Sequence, residues 1–240
     1  MANQEQLELI KEGVEAWNAW RKANPSIRID LSSGNFSGMN LAGIDLDGAN
    51  LEDVNFNKAD LSKARLSGAN LVESSLMEAN LTEANLTNAN VNEADLLKTI
   101  LTRANLTRVH LAKTDLTTVD ASQANLTEAD LHLANLQGAK LVGANLEGSN
   151  LREAKVVQAD LAEANIRNAD LAQSNFQQAN LQNADIEKAS LIKTNFQEAN
   201  LQGVENATIV QMSKARSFCH AQLDQPLKEQ LEKNYPHLFQ

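Results

Sequence analysis

From residue 31 to residue 201 an apolar side chain, large in all but one case, returns every five positions, as in ANLTEANLTNAN at 79–90, without one insertion or deletion. Five is a period that suits no regular element. On an α-helix, at about 100° per residue, positions five apart are rotated by roughly 140°, so no single face would collect the leucines. On a strand five is odd, and successive leucines would point to opposite sides of the sheet. What remains is a chain that runs extended for about three residues, turns a corner and repeats, with every leucine pointing into one interior. That is a solenoid.

With Leu31 as the first centre, the array holds 35 pentapeptides, whose centres are Leu in 26 cases, Phe in four, Val or Ile in four, and Ala once, at Ala121. Two residues before the centre stands Ala, Ser or Thr in 28 of 34 cases, which suits a second inward position with little room. At Ala121 the larger Val119 occupies that second position and compensates in volume. Asn or Asp precedes the centre in 28 of 35 cases, and the other two positions are polar and variable, as solvent-facing sites should be.

The number of sides per coil is also encoded. The centre phenylalanines Phe36, Phe56, Phe176 and Phe196 are separated only by multiples of 20. Lys58, Glu78 and Lys98 share that spacing, as do Lys63, Glu83 and Arg103, so a four-sided coil of 20 residues stacks opposite charges on one another. Stacked at about 4.8 Å per coil, the array is a rod of roughly 42 Å. None of the three prolines lies in it, where a missing N–H would cost an inter-coil hydrogen bond. Eight of the ten glycines stand two residues after a centre, where a corner with positive φ belongs, and predict type II turns in those coils.

Units such as ADLSK (59–63), ANLTE (79–83) and ANLQG (134–138) resemble the A(D/N)LXX signature of the bacterial pentapeptide repeat family, over residues 30–203. The resemblance implies an all-β solenoid, a right-handed quadrilateral β-helix with one pentapeptide per side, about eight to nine coils long. Ile100, His110, Lys140 and Lys155 depart from the pattern at the Asn/Asp position and Ala121 at a centre, without breaking the register. GVEAWNAWRKANP (13–25) is similar to a segment that precedes the array in some members.

A single repeat buries one Leu, about 1.5–3 kcal/mol, against roughly 5–10 kcal/mol of backbone entropy. Stability must come from stacking, and the two ends need covers. The expected organisation is an N-terminal helical cap at 1–29, the repeat array at 30–205, and a C-terminal helical cap at 206–240. Helical spacing over 3–24 (Leu7, Ile10, Val14, Trp17), with Asn3 as N-cap and Asn24-Pro25 as stop, supports the first. Two short helices, over 208–220 and 226–234, are expected in the last.

The formal charge of −10 disfavours direct binding to nucleic acid or to an anionic membrane. The opening MANQEQLELIKEG has no leader pattern and no apolar run approaches a membrane span, so a cytoplasmic location is expected. Cys219 is alone. His110, Asp130 and His132 fall on one side in adjacent coils, but no third ligand or nucleophile converges with them, and an outward His bonded to a stacked carboxylate is the expected arrangement. Lys98, Arg103, Arg108 and Lys113 form a basic ring around one coil, answered by Glu78, Glu83 and Glu93 one coil below and Glu128 one coil above. No cofactor, metal or catalytic residue is expected, and the chain is not expected to be an enzyme.

The leading expectation is a cytoplasmic binding or scaffold protein with an unidentified protein partner, monomeric or dimeric through its C-terminal helices. The family resemblance supplies an alternative, a DNA mimic that modulates DNA gyrase or another DNA-binding protein. Against it, residues 30–205 hold 24 acids and 13 bases, a net charge well under the about 25 negative charges of an equally long DNA duplex. Candidate partner-binding residues are Asp45, Asp47, Glu52 and Asp53, because no Lys or Arg occurs from Ile29 to Asn57.

Overall fold

In the computed structural model, which describes residues 3–240, the array closes a coil every 20 residues: Asp30 bridges Asn50 in parallel, Asn50 bridges Asn70, and the same step recurs on each of four sides. The sides are named by their first centres, Leu31 (first side), Phe36 (second), Leu41 (third) and Leu46 (fourth). Each side contributes one bridging residue per coil before the chain turns, so no strand is longer than that.

The unit around Leu61 shows why these residues fold this way. Leu61 N–H donates to the Asn80 carbonyl (2.7 Å), Lys63 N–H to that of Thr82 (2.8 Å), and Asn80 N–H returns to Ala59 (2.9 Å), while Ala64 N–H closes the turn on Leu61 (3.0 Å). Four of five amides are thus paired along the backbone. The fifth, on Ser62, donates to Asp60 Oδ1 at 3.0 Å. An Asn or Asp before the centre therefore satisfies the one amide that the stack cannot, which is the physical basis of that preference.

All 35 corners have positive φ, at 27 side-chain-bearing residues as well as the eight glycines; Lys58 and Glu83 stand at 60°. Left-handed corners are therefore not confined to the glycine-bearing coils. A lone left-handed residue costs on the order of 1–2 kcal/mol, and the hydrogen bonds that flank every corner offset it.

Inside the coil, centres and their small companions are buried throughout, including Val119 and Ala121. Ser and Thr fit the small position because their hydroxyls find main-chain acceptors. Ser74 and Ser149 donate to Leu71 and Leu146 of their own unit, and Thr99, Thr114 and Thr194 to a centre carbonyl one coil below. Gly34 has a different reason. A Cβ there would lie 2.7 Å from the Phe36 ring and 2.8 Å from the Leu31 carbonyl.

The N-terminal segment forms α1 (Gln4–Leu9) and α2 (Val14–Ala23), joined by a 3-10 turn at Ile10–Glu12 and a break at Gly13, where φ is 108°. Asn3 caps α1 through its side chain, and α2 ends at Asn24. Met1 and Ala2, part of the expected 1–29 cap, lie outside the described residues. Ile10 and Trp17 are buried in the core cluster of the coils.

At the other end the expected helix over 208–220 is present only as α3 (Ile209–Met212). Residues 217–223 instead rejoin the stack: Ser217 bridges Asn195, Gln222 bridges Asn200, and His220 takes a corner φ of 57°. Phe218 stacks on Phe196 at 5.4 Å, continuing the Phe176–Phe196 column, and Phe239 lies against it at 6.0 Å. The two residues added before Ser217 break the sequence register, but the α3 turn absorbs them and the spatial register survives. The second helix, α4, spans Gln225–Asn234.

Candidate functional site

The four candidate acids separate into two pairs on two adjacent sides. Asp45 and Asp47 lie on the fourth side, and both face Arg65 of the next coil. Arg65 Nη1 is 3.4 Å from Asp45 Oδ2, Nε donates to Asp47 Oδ2 at 2.9 Å, and Nη2 bonds the same oxygen. The hydrogen bond that Arg65 donates to Asp47, then the charges of Asp47 and Asp45, raise the Arg65 pKa. The absence of a base between Ile29 and Asn57 thus leaves these two acids neutralised all the same, because the nearest cation in space lies one coil onward.

Asp47 has a second task. Arg65 replaces the Asn or Asp that would cap the Ser67 amide, and Asp47 Oδ1 accepts that N–H from one coil below, at 2.9 Å. Asn57 does the same for the Met77 amide, where Ser75 is the replacement, and Asn92 for the Ala112 amide, where His110 is. Among the positions just after a centre, Asp or Asn occurs only at these three, each beneath such a replacement. That pairing was legible in the sequence to anyone comparing positions one coil apart.

Asp45 is also occupied on its backbone: its carbonyl accepts from Trp17 Nε1 (2.8 Å) and its amide donates to Asn18 Oδ1 (2.9 Å), while Arg21 Nη2 reaches the Asp47 carbonyl (3.1 Å). These α2 side chains stand where a preceding coil would be.

Glu52 and Asp53 lie on the first side with no cation within 4 Å among the described residues, and Glu73 stands one coil above Asp53 in the same condition. Asp53 Oδ2 accepts from Ser33 Oγ at 3.1 Å, and Glu52 Oε2 is 3.5 Å from Asn70 Nδ2. With Ser32, Ser33 and Asn50 they line a shallow groove of about 520 Å³. Asp30, at the same end, is held below the usual carboxylate range by the Ser32 hydroxyl, against the opposing effect of burial.

The basic ring is mostly consumed by cross-coil pairs: Arg103–Glu83 at 2.7 Å, Arg108–Glu128 at 2.7 Å and Lys113–Glu93 at 3.1 Å. Lys98 differs from expectation, since Glu78 pairs with Lys58 instead, at 3.9 Å. The imidazole of His132 bonds the Arg152 carbonyl, and Asp130 Oδ1 accepts from the His132 amide and Asn150 Nδ2, so no hydrogen bond joins His110 to Asp130. Among the described residues no three His, Cys, Asp or Glu side chains gather as metal ligands, and no helix is long and apolar enough to cross a membrane.

The chain matches the family model for pentapeptide repeats, in eight copies over residues 29–68, 59–97, 99–138, 129–168 and 164–203. No curated protein matches it. Among solved structures it is similar to HetL, a pentapeptide repeat protein involved in heterocyst differentiation regulation from the cyanobacterium Nostoc sp. strain PCC 7120. The likeness is 29% identity over 85% of this chain and 92% of that one, with a TM-score of 0.57. A pentapeptide repeat protein of the Arabidopsis thaliana thylakoid lumen is 31% identical over 50% of this chain and 74% of its own, with a TM-score of 0.38. A trypsin-treated form of QnrB1, a plasmid-mediated fluoroquinolone resistance protein, is 16% identical over 88% of this chain and 98% of its own, with a TM-score of 0.39. The last two superpose too poorly to carry an argument.

Proposed function

The chain belongs to the pentapeptide repeat family, and on that premise we propose that it is a non-enzymatic binding rod of the cytoplasm that acts by docking another protein on its first side. The right-handed sense of the coil is part of the same reading, carried by the family. The observation that bears most weight is the charge on Glu52, Asp53 and Glu73: exposed, on one flat rank of a coil stack, and without the cross-coil base that Glu83, Glu93 and Glu128 each have. Of the four acids singled out by sequence, Glu52 and Asp53 remain in this site. Asp45 and Asp47 serve the coil. The likeness to HetL favours a regulatory role over a catalytic one.

The test is affinity capture from the native host with the wild-type chain, with Glu52→Lys/Asp53→Lys/Glu73→Lys, and with Glu163→Lys on the third side as control. A protein retained by wild type and control and lost from the triple variant supports the reading; capture indifferent to all the reversals overturns it. For the DNA-mimic alternative, we expect no inhibition of gyrase supercoiling at low-micromolar protein, because Arg65 neutralises half of the acids it would use. Salt-sensitive inhibition, lost in Glu52→Gln/Asp53→Asn, would place that alternative first.

A further inference from the structure

The C-terminal closure leaves an opening at the corner where the fourth side turns into the first. One coil below it the bonding pattern is complete: Asn168 N–H donates to the Glu187 carbonyl (2.8 Å), Leu171 N–H to that of Ser190 (2.9 Å), and Ala172 N–H to Asp170 Oδ1 (3.0 Å). In the last coil the corresponding amides belong to Lys188, Leu191 and Ile192, and none of them meets an acceptor among the described residues. Past Glu205 the chain leaves the stack for α3, so no further coil supplies carbonyls here, and Ser190 stands where an Asn or Asp would cap Ile192. Gln211 serves the Ile186 and Ala189 carbonyls of this corner but no amide of the last coil. Ile100, Lys140 and Lys155 also leave an amide uncapped, yet both inter-coil bonds donated by their own units are made. Leu191 is 1% exposed, and a backbone N–H so placed calls for a partner.

Lys188, Leu191 and Ile192 line a groove of about 520 Å³ between the last coil and α3, together with Ser190, Val210 and Lys214. Ile192, 52% exposed, and Val210, 69% exposed, form its apolar walls. Lys214 has no carboxylate within 4 Å among the described residues, and the one carboxylate that lines the groove, Glu187, is held by Arg167 and by Lys188 at 3.2 Å. Glu198 and Glu205, the other acids of this end of the array, lie on the second and fourth sides outside the groove. We propose that the groove docks an acidic segment of a partner protein. One carboxylate of that segment takes the place of the Asn or Asp missing at Ser190, and a neighbouring apolar side chain lies between Ile192 and Val210. A carboxylate has oxygens for the Leu191 and Ile192 amides together and neutralises Lys214. A neutral amide would answer the N–H groups but leave Lys214 unmatched, and a phosphate would leave the apolar walls uncovered. The groove lies at the opposite end of the rod from Glu52, Asp53 and Glu73 and has the opposite charge preference, so it stands independently of docking there.

Selection from a random peptide library on the immobilised full chain, followed by amide NMR titration with the peptide selected, tests this. Enriched sequences should carry Asp or Glu beside Leu, Ile, Val or Phe, and the titration should move the Leu191 and Ile192 amides most. Ser190→Asn returns the unit to the repeat pattern and supplies the missing oxygen from within the chain, with its Nδ2 placed to reach Asp170 as Asn150 reaches Asp130. It should melt no lower than wild type and weaken the peptide at least tenfold. Lys214→Glu and Val210→Asp, at exposed positions, should each weaken it to a similar degree, whereas Glu52→Lys/Asp53→Lys/Glu73→Lys should leave it unchanged. No enrichment, enrichment of sequences without an acid, shifts centred elsewhere, or a Ser190→Asn chain that melts lower or binds as wild type does would each overturn the proposal.

Discussion

The two ends of the rod solve the same problem by different means. At the N-terminal end, side chains from a helical segment imitate a missing coil. Gln6 accepts from the Asp30 amide and donates to the Arg28 carbonyl, while Trp17, Asn18 and Arg21 serve Asp45, Gly43 and Asp47. The first and fourth sides are served in this way, together with the corner of the third side at Gly43; the Asn35 and Asn40 amides of the second and third sides have no backbone partner among the described residues and are exposed to water. At the C-terminal end the backbone itself returns. Residues 214–222 pair with the last coil on the first, second and third sides, and Gln211 closes the fourth by donating to the Ile186 and Ala189 carbonyls. An end closed by backbone is stitched at many points, whereas an end closed by side chains depends on a few.

That contrast can be broken most severely at the buried aromatic anchors. Trp17→Ala should cost about 3–5 kcal/mol and, because a stacked array transmits stability only to neighbours, should release amide exchange in the coils of residues 30–70 while leaving those beyond 150 protected. Phe218→Ala should cost a similar amount with the opposite polarity of exchange. Uniform loss of protection in both variants would show that the ends are not independent.

Gly34→Ala tests the first coil itself. The added methyl meets the Phe36 ring and the Leu31 carbonyl, so destabilisation of about 1–3 kcal/mol is expected, and Phe36→Leu in the same chain should recover part of it in thermal melts. Failure of Phe36→Leu to recover any stability would leave the backbone carbonyl as the whole of the obstruction.

The polar plugs come next. Gln6, 2% exposed, leaves a buried amide and carbonyl unpaired when removed, so Gln6→Ala should cost about 1–3 kcal/mol. Gln211 is only partly buried, and Gln211→Ala should cost less, about 0.5–1.5 kcal/mol. Equal losses in urea titrations would contradict the claim that the C-terminal end has the redundant closure.

The smallest effect concerns Asp47. Asp47→Asn keeps the cap on the Ser67 amide and gives up the exposed ion pair with Arg65, worth under about 1 kcal/mol; Asp47→Ala gives up both and should cost about 1 kcal/mol more. If the two variants melt alike, the amide cap contributes nothing and water serves Ser67 equally well.

Much of this molecule was legible because a solenoid converts three dimensions into one: each coil touches only the next, so contacts fall at a fixed sequence distance. The spacing of Phe36, Phe56, Phe176 and Phe196 therefore reported the four-sided coil, and the Glu83–Arg103 and Glu93–Lys113 ladders followed from the same count. The candidate site was read less well. A scan along the chain for acids without nearby bases singles out Asp45, Asp47, Glu52 and Asp53 alike, but it cannot see that Arg65, remote along the chain and adjacent across the coils, neutralises Asp45 and Asp47.

By itself the sequence determined the period, the two inward columns and the register, because burial of a side chain every fifth residue admits one kind of path. Tertiary structure alone decided how the ends close and where charge is left over. The return of residues 217–223 depends on α3 absorbing two extra residues, and the plugging of the first coil depends on where α2 lies. Both are set by unpaired edge amides and carbonyls seeking partners, a demand that leaves no periodic mark in the chain.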